Sequence, residues 1–366
     1  MVELSDKYVR VHPKFKLNGH SYTIASLKNH AYEFIKEGEP YEQSVGEFIL
    51  EWLDDKKYVF AQTSGSTGAP KSIKIFKIHM VHSAKATGAY FGLPEKTKAL
   101  LCLPVHYIAG KMMLVRAMVL GWHIDMTQPK SNPIDNVYRR YDFCAMTPLQ
   151  LDNSLSRLHL LKKLIVGGGA ISAPLFHRVQ GLKVKVYETY GMTETVTHIA
   201  ARRVNPKKNR EVPLPFKVLP KVTVNADARG CLVIKAPFVS VDPVITNDLV
   251  EVLSYKKFNW LGRIDNVINS GGVKLYPEQI EYKLASVISV PYFISSIPDD
   301  KLGERIVLFV EQEESFTFDE DLLDKSKFLP FELPKLVISL SSFQRTNTGK
   351  IQRGQTLKNY QEGKEK

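Results

Sequence analysis

Thr63, Ser64, Ser66 and Thr67 crowd around Gly65 and Gly68, and Lys71 follows directly on Ala69-Pro70. Glycine lets backbone N–H groups come close to an anion, the hydroxyls add donors, and the lysine adds charge. That combination suits a polyphosphate. A Walker-type loop needs glycine immediately before the lysine, and Pro70 holds that place. The following Ser-Ile-Lys-Ile-Phe-Lys run reads as strand rather than helix, which argues against an ordinary P-loop. The alternative for this segment is a polar surface turn. A second glycine run, Val166 to Ala170, follows an apolar stretch and reads either as a tight turn or as a weak dinucleotide loop lacking its last glycine. In a third segment, Tyr187 to Thr195, an aromatic ring could stack on a base and hydroxyls could donate to phosphate. Glu194 could hold Mg2+, for which one carboxylate plus substrate phosphates is enough.

These segments need a frame that brings them together. From about Lys56 to Tyr190 short apolar or β-branched runs alternate with helical segments. The runs at 98–104, 123–126, 142–148, 162–168 and 183–191 end in Pro, Gly or polar residues, as buried parallel strands do. Helices are expected at His79–Phe91 and Ser172–Gln180. The pattern predicts an α/β fold with doubly wound sheets, whose ligands collect at the strand C-termini. From Arg210 to Arg263 alternating strands predict a small β-subdomain. Beyond Asp265, helices at Pro277–Val287 and Asp319–Phe328 among short strands predict a mobile α+β lid. The expected domains are residues 1–264 and 265–366.

The 366 residues exceed what one compact core usually spans, and the composition excludes disorder and fibres. Fifty Lys plus Arg against 38 Asp plus Glu leave a net charge of +12, which favours anionic partners. The basic residues are scattered rather than interleaved with aromatics, so a nucleic-acid partner is not expected. Cys102, Cys144 and Cys231 are far apart in sequence and form neither a disulfide framework nor a zinc site, which fits a reducing, cytoplasmic setting. The N-terminus carries no apolar signal-like run, and the most apolar stretch, 112–124, contains Arg116 and His123, so no membrane span is expected.

Taken in order, TSGSTGAPK (63–71), GGGA (167–170), YGMTET (190–195), TND (246–248), GRIDNVINSGG (262–272) and NTGKIQR (347–353) resemble the motifs of the adenylate-forming superfamily. That superfamily contains acyl-CoA synthetases, luciferases and peptide-synthetase adenylation domains. The resemblance implies that Thr63, Ser64, Gly65, Ser66, Thr67, Gly68 and Lys71 close over the β- and γ-phosphates of ATP. It implies that Gly168, Gly169, Ala170, Tyr190 and Gly191 flank the adenine, and that Thr193 meets the α-phosphate while Glu194 takes Mg2+. Asp248 and Arg263 are placed at the ribose, with Asn247 in a turn where the family usually has glycine. Asp265 is placed at the hinge, and Lys350 is the lysine that promotes adenylation. Only about sixty residues precede the phosphate loop, where members of the superfamily carry more, so a reduced N-terminal subdomain is expected.

NSGGVKLYPEQIE (269–281) is similar to the CoA-ligase version of the lid, which puts Ser270, Gly271 and Gly272 along the pantetheine arm. LPVHYIAGKMMLVRAM (103–118) is most similar to the o-succinylbenzoate–CoA ligases of menaquinone biosynthesis. There an aromatic-His pair, a glycine and an arginine recur, matched by His106, Tyr107, Gly110 and Arg116, with the pair inverted. Arg116 is the expected partner of a second substrate carboxylate; its alternatives are a helix cap or a surface ion pair. The resemblance thus implies ATP and CoA as co-substrates, Mg2+ as cofactor and a small carboxylic acid as substrate, with monomer and homodimer both open. The remaining alternatives are a ligase for another aromatic or short-chain acid, and a nucleotide-binding protein without turnover.

Overall fold

The computed structural model describes residues 10–62, 72–285, 287–317, 331–345 and 351–363, and positions 323, 324, 326, 328 and 329. Thr63–Lys71 and Lys350 lie outside the described residues, as does most of the helix expected at 319–328.

Apolar runs in the first two thirds of the chain become strands of one continuous sheet. They are β1 (Lys16–Leu17), β2 (His20–Ser21), and then, beyond the hairpin β3 (Tyr58–Gln62) and β4 (Ser72–Phe76), β5 (Lys98–Leu101), β6 (His123–Met126), β7 (Tyr141–Met146), β8 (Leu161–Val166) and β9 (Lys185–Gly191). Next come β10 (His198–Arg203), β11 (Phe216–Val218), β12 (Thr223–Ala226), β13 (Cys231–Lys235), β14 (Val244–Ser254) and β15 (Lys257–Arg263). Among the described residues the order is β12-β13-β14-β15-β11-β10-β9-β8-β7-β5-β6-β1-β2. Strands β9 to β1 along this path are parallel. From β10 to β12 every pairing is antiparallel. The β-subdomain expected from the alternating pattern is therefore present as the far half of the same sheet. The direction of pairing reverses between β9 and β10, and the loop joining them carries Thr193 and Glu194.

Two helices that sequence reasoning passed over fill the N-terminal region, α1 (Ile24–Glu37) and α2 (Pro40–Leu53). Thr23 and Ser26 cap α1 reciprocally, each side chain accepting the other's backbone N–H. Leu27, Ala31 and Phe34 are buried at the spacing of a single helical face. Pro40 starts α2 at the first helical position, where its missing N–H does no harm. The C-terminal end of α2 is pinned to the body by two buried cations. Lys77 donates to Asp54 Oδ1 at 2.7 Å, and Lys111 donates to Glu51 Oε2 at 2.9 Å.

Two further helices lie against the parallel half: α3 (Lys77–Phe91) and α4 (Ile108–Leu120), with α5 (Pro148–Asn153) and α6 (Ala173–Val179) following later strands. The most apolar stretch of the sequence is α4, buried continuously from Gly110 to Val119. No helix among the described residues is long and apolar enough to cross a membrane. Parallel pairing also brings together two cysteines that are 42 residues apart: Cys102 and Cys144 are free thiols with sulfurs 3.6 Å apart. Distance along the chain was a poor guide to their separation.

The C-terminal part builds its own sheet from β16 (Ile268–Ser270), β17 (Val273–Leu275), β18 (Tyr292–Asp299), β19 (Gly303–Glu311) and β20 (Val337–Leu340), with α7 (Pro277–Leu284) and α8 (Arg353–Gln361). Its buried apolar clusters draw only on residues from Ile268 onward. Within it, Arg353 pairs with Glu281 at 2.7 Å, and the Glu281 side chain is 17% exposed. Burial pushes Glu281 up to about 7, against the opposing pull of Arg353. A raised native value means that the folded chain keeps its proton longer than the unfolded one. This group's contribution is therefore complete below an ordinary carboxylate value of about 4.3 and is lost as pH rises through about 7. Glu281→Gln should remove that slope. Its melting temperature relative to the parent should climb by several degrees between about pH 5 and about pH 8, read by circular dichroism. A constant difference across that range would show Glu281 to be ordinarily acidic.

Candidate active site

The carboxyl ends of β8 and β9 bring two of the sequence-singled segments side by side. Gly168 turns the chain after β8 with φ +83°, which favours glycine, and Gly168, Gly169 and Ala170 are exposed. Gly167 has no room for a side chain, because an added Cβ would meet the Thr189 hydroxyl of β9 at 2.7 Å. That hydroxyl donates to Val166 O at 2.9 Å. The end of the turn is held by the nearly buried Glu188, which accepts from Ile171 N–H at 3.1 Å and from Arg202 Nε at 2.7 Å. Sequence reasoning left Glu188 without a role. Its partners are 14 and 17 residues away and declare themselves only in the fold.

Tyr190 lies against the rings of Phe216 and Phe258, with centroids 5.8 and 5.3 Å away. Its hydroxyl donates to Asp248 Oδ2 at 2.5 Å, and Trp260 Nε1 donates to Asp248 Oδ1 at 3.2 Å. Burial first, and then the Asp248 charge, raise the Tyr190 phenol far above its ordinary value, so it remains a donor. Arg263 sits opposite Asp248 in the β14–β15 pairing, 4.0 Å from Oδ1, and donates to Asp265 Oδ2 at 2.5 Å. Asn247 does not form the expected turn. It lies within β14 and is absent from the positive-φ residues. Its side chain instead bridges Arg229 and Asp265, accepting from the first at 3.1 Å and donating to the second at 3.2 Å. Pairing of Ile245 with β13 and of Asp248 with β15 holds the backbone extended on either side, so Asn247 has no need of the left-handed region.

Thr193 and Glu194 occupy a single 3-10 turn after β9. Glu194 is exposed and has no hydrogen bond or ion pair among the described residues. No cluster of three or more His, Cys, Asp or Glu suited to a metal occurs among the described residues. A free carboxylate beside a hydroxyl fits Mg2+, which binds through one or two carboxylates together with phosphate oxygens and water. The turn ends at Val196 with φ +64° and ψ −53°, a conformation that costs a β-branched residue roughly 1–3 kcal/mol.

Beneath this loop lies Arg116, 1% exposed. Its Nε donates to the Thr87 hydroxyl at 3.3 Å and its NH2 group to the Thr197 hydroxyl at 3.2 Å. It pairs with no carboxylate among the described residues. A surface pair and a helix cap are both excluded for it. Burial pushes its guanidinium down to about 9, a sign of charge without compensation. His198 lies 3.4 Å from both hydroxyls and is held neutral by burial and by the Arg116 charge. Thr87, Thr197 and His198 were missed from the sequence, because α3, α4 and β10 meet only in three dimensions. His198 and Ser83 also line a cavity of about 260 Å3, walled by Ala86, Ile199, Val222 and Val239.

His106 and Tyr107 stand at the start of α4 with ring centroids 4.1 Å apart, His106 exposed and Tyr107 half-buried. Gly110 packs on the Leu103 and Pro104 carbonyls, where any Cβ would collide. Ser270, Gly271 and Gly272 form the β16–β17 turn. Both glycines have positive φ, +58° and +82°, as a two-residue hairpin of this hand requires. That requirement accounts for the glycines without any ligand.

A family model described as AMP-binding enzyme matches residues 20–239. A 2-succinylbenzoate–CoA ligase from Listeria monocytogenes is 24% identical over 335 residues, covering 84% of this chain and 71% of the relative. Among solved structures, an acyl-CoA synthetase (AMP-forming)/AMP-acid ligase II-like protein from Dyadobacter fermentans is 36% identical with a TM-score of 0.60. The match covers 91% of this chain and 98% of that one. An o-succinylbenzoate CoA synthetase from Bacillus subtilis, solved with ATP and magnesium ion, has a TM-score of 0.71 at 18% identity. It covers 93% of this chain and 83% of that one, and supports the fold.

Proposed function

The chain belongs to the AMP-binding enzyme family, and from that premise we propose that it joins a carboxylic acid to CoA through an acyl-adenylate, with 2-succinylbenzoate as the acid. One observation carries the choice of acid: a buried arginine, Arg116, lacks any carboxylate partner among the described residues and touches the loop of Thr193 and Glu194. A second substrate carboxylate would supply the missing charge, either directly or through the Thr197 hydroxyl. The name shared by the Listeria relative agrees with that chemistry.

A free carboxylate resists attack by a thiol because its carbon is shielded by negative charge and lacks a leaving group. In the first step a carboxylate oxygen bonds to the α-phosphorus of ATP and the bond to the β-phosphate oxygen breaks, releasing pyrophosphate. In the second, the CoA sulfur bonds to the acyl carbon, AMP leaves and the thiol proton passes to solvent. Charge gathers on the α-phosphate in the first step, so donors fixed in advance lower the barrier. Thr193 offers a hydroxyl there and Lys350 an ammonium group. Bound at Glu194, Mg2+ would neutralise phosphate charge. Gly168–Ala170, Tyr190 and Gly191 flank the adenine, and Thr63–Gly68 with Lys71 close over the β- and γ-phosphates. The ribose hydroxyls meet Asp248 and Arg263, exchanging with the Tyr190 and Trp260 bonds. His106, Tyr107 and Gly110 border the acid. Residues 1–264 and 265–366 act as two bodies turning at Asp265, with Ser270–Gly272 meeting CoA.

The test is pyrophosphate release over a panel of aromatic, succinylated and fatty acids, with and without magnesium and CoA. 2-Succinylbenzoate should exceed benzoate by at least about tenfold in kcat/KM, and omission of magnesium should abolish turnover. Preference for a monocarboxylate would overturn the choice of acid. Absence of pyrophosphate with every acid would overturn the reaction.

A further inference from the structure

The loop between β9 and β10 is tied by the last residue of the 190–195 motif, to which the proposed chemistry gives no role. Thr195 is fully buried. Its hydroxyl accepts from Met192 N–H at 3.0 Å and lies 3.0 Å from Met192 O and 2.8 Å from Thr197 O, the carbonyls to which it can donate. One side chain thus ties the residue before Thr193 to the residue that touches Arg116. Val196 is forced into positive φ between them, where Thr197 N–H donates to Thr195 O at 2.7 Å across a three-residue turn. Gly191 gives the crossing its space, since any Cβ there would strike Thr197 O and the His198 backbone.

We infer that Thr195 is a positioning residue that fixes the spacing between the α-phosphate donor Thr193 and the carboxylate-reading pair Thr197–Arg116, with Val196 strained to hold that spacing. The inference rests on the proposed reaction. A hydroxyl at residue 195 can bind the loop's two ends only when residue 196 takes the left-handed turn, so the hydrogen bonds offset the strain locally. Strain that packing maintains beside reacting groups is a recurrent means of presetting geometry. The two substrate halves then share a rigid ruler rather than two independently mobile loops, and small misplacements at such sites lower rates steeply.

The test uses the full chain with Thr195→Val, Thr195→Ser and Val196→Gly, with unaltered protein in parallel, followed by pyrophosphate release with 2-succinylbenzoate and with a monocarboxylate analogue. Thr195→Val keeps shape but loses the hydroxyl. It should lower kcat about tenfold or more with little change in the KM for ATP, and should compress the dicarboxylate preference. Thr195→Ser should restore both. Val196→Gly relieves the strain but also deletes a buried core side chain, so its melting temperature should not rise, and it should turn over more slowly. Two results overturn the inference: a Thr195→Val enzyme whose kcat and acid preference match the parent's, or a folded Val196→Gly enzyme that is equally fast. If Thr195→Val does not fold, Val196→Gly decides. If the unaltered chain releases no pyrophosphate with any acid, the proposed reaction has failed, a result distinct from a failure confined to the variants.

Discussion

Replacing Lys350 by alanine should lower acyl-adenylate formation about a hundredfold or more, while a preformed adenylate still passes its acyl group to CoA. The expectation follows from where charge develops. In the first step the α-phosphate gains negative charge as pyrophosphate departs, and a positioned cation aimed there is worth about 10²–10³ in rate. In the second step the leaving group is AMP and the attack falls on the acyl carbon, so the same cation has little left to stabilise. Pyrophosphate release reads the first step, and thioester formation from synthetic adenylate reads the second. Equal losses in both would place Lys350 in the support of the C-terminal part, and full pyrophosphate release would remove it from the chemistry.

Arg116→Met should separate substrate recognition from stability. Methionine keeps the length and apolar stem of the side chain and removes a buried guanidinium that has no carboxylate partner among the described residues. Exchanging such a charge for an apolar side chain relieves a desolvation cost of several kcal/mol, so the melting temperature should hold or rise. For a dicarboxylate the same change strips the buried cation that donates to Thr197, and kcat/KM should fall by about 10² or more. A monocarboxylate analogue should lose little. Equal losses for both acids, or a large drop in melting temperature, would make Arg116 a structural residue.

Much of this architecture is written in local sequence, for identifiable reasons. The strands β5 to β9 are legible because a strand buried on both faces must be a short apolar run that ends where backbone turns. α3 and α6 fall within two residues of their expected limits. The run after Lys71 is indeed a strand, β4, and that separates this loop from a P-loop, in which a helix follows. The sequence also carries the signal for α1, in the Thr23–Ser26 cap and the Leu27, Ala31, Phe34 spacing, though it is weaker than a strand run and was passed over. What depends on distant pairing is not legible. No local pattern announces that Thr87, Arg116 and His198 converge, or that Cys102 meets Cys144. The extension of β14 back to Val244, which takes Asn247 into a strand, is decided by the distant strand β13, which pairs with Val244 and Ile245. Glycine likewise has two meanings. Gly110 is compelled by helix packing and Gly271–Gly272 by hairpin geometry, whether or not a ligand ever passes.

Because the parallel and antiparallel halves are joined in one sheet through β9, β10 and β11, with only a bulge near His198, the polypeptide has no natural seam there. Dividing it between residues 191 and 198 would bare a long row of unpaired amides and carbonyls, an invitation to aggregation. Split-protein or shortened versions should instead be cut after Arg263, where β15 has ended and the next strand, β16, belongs to the other sheet.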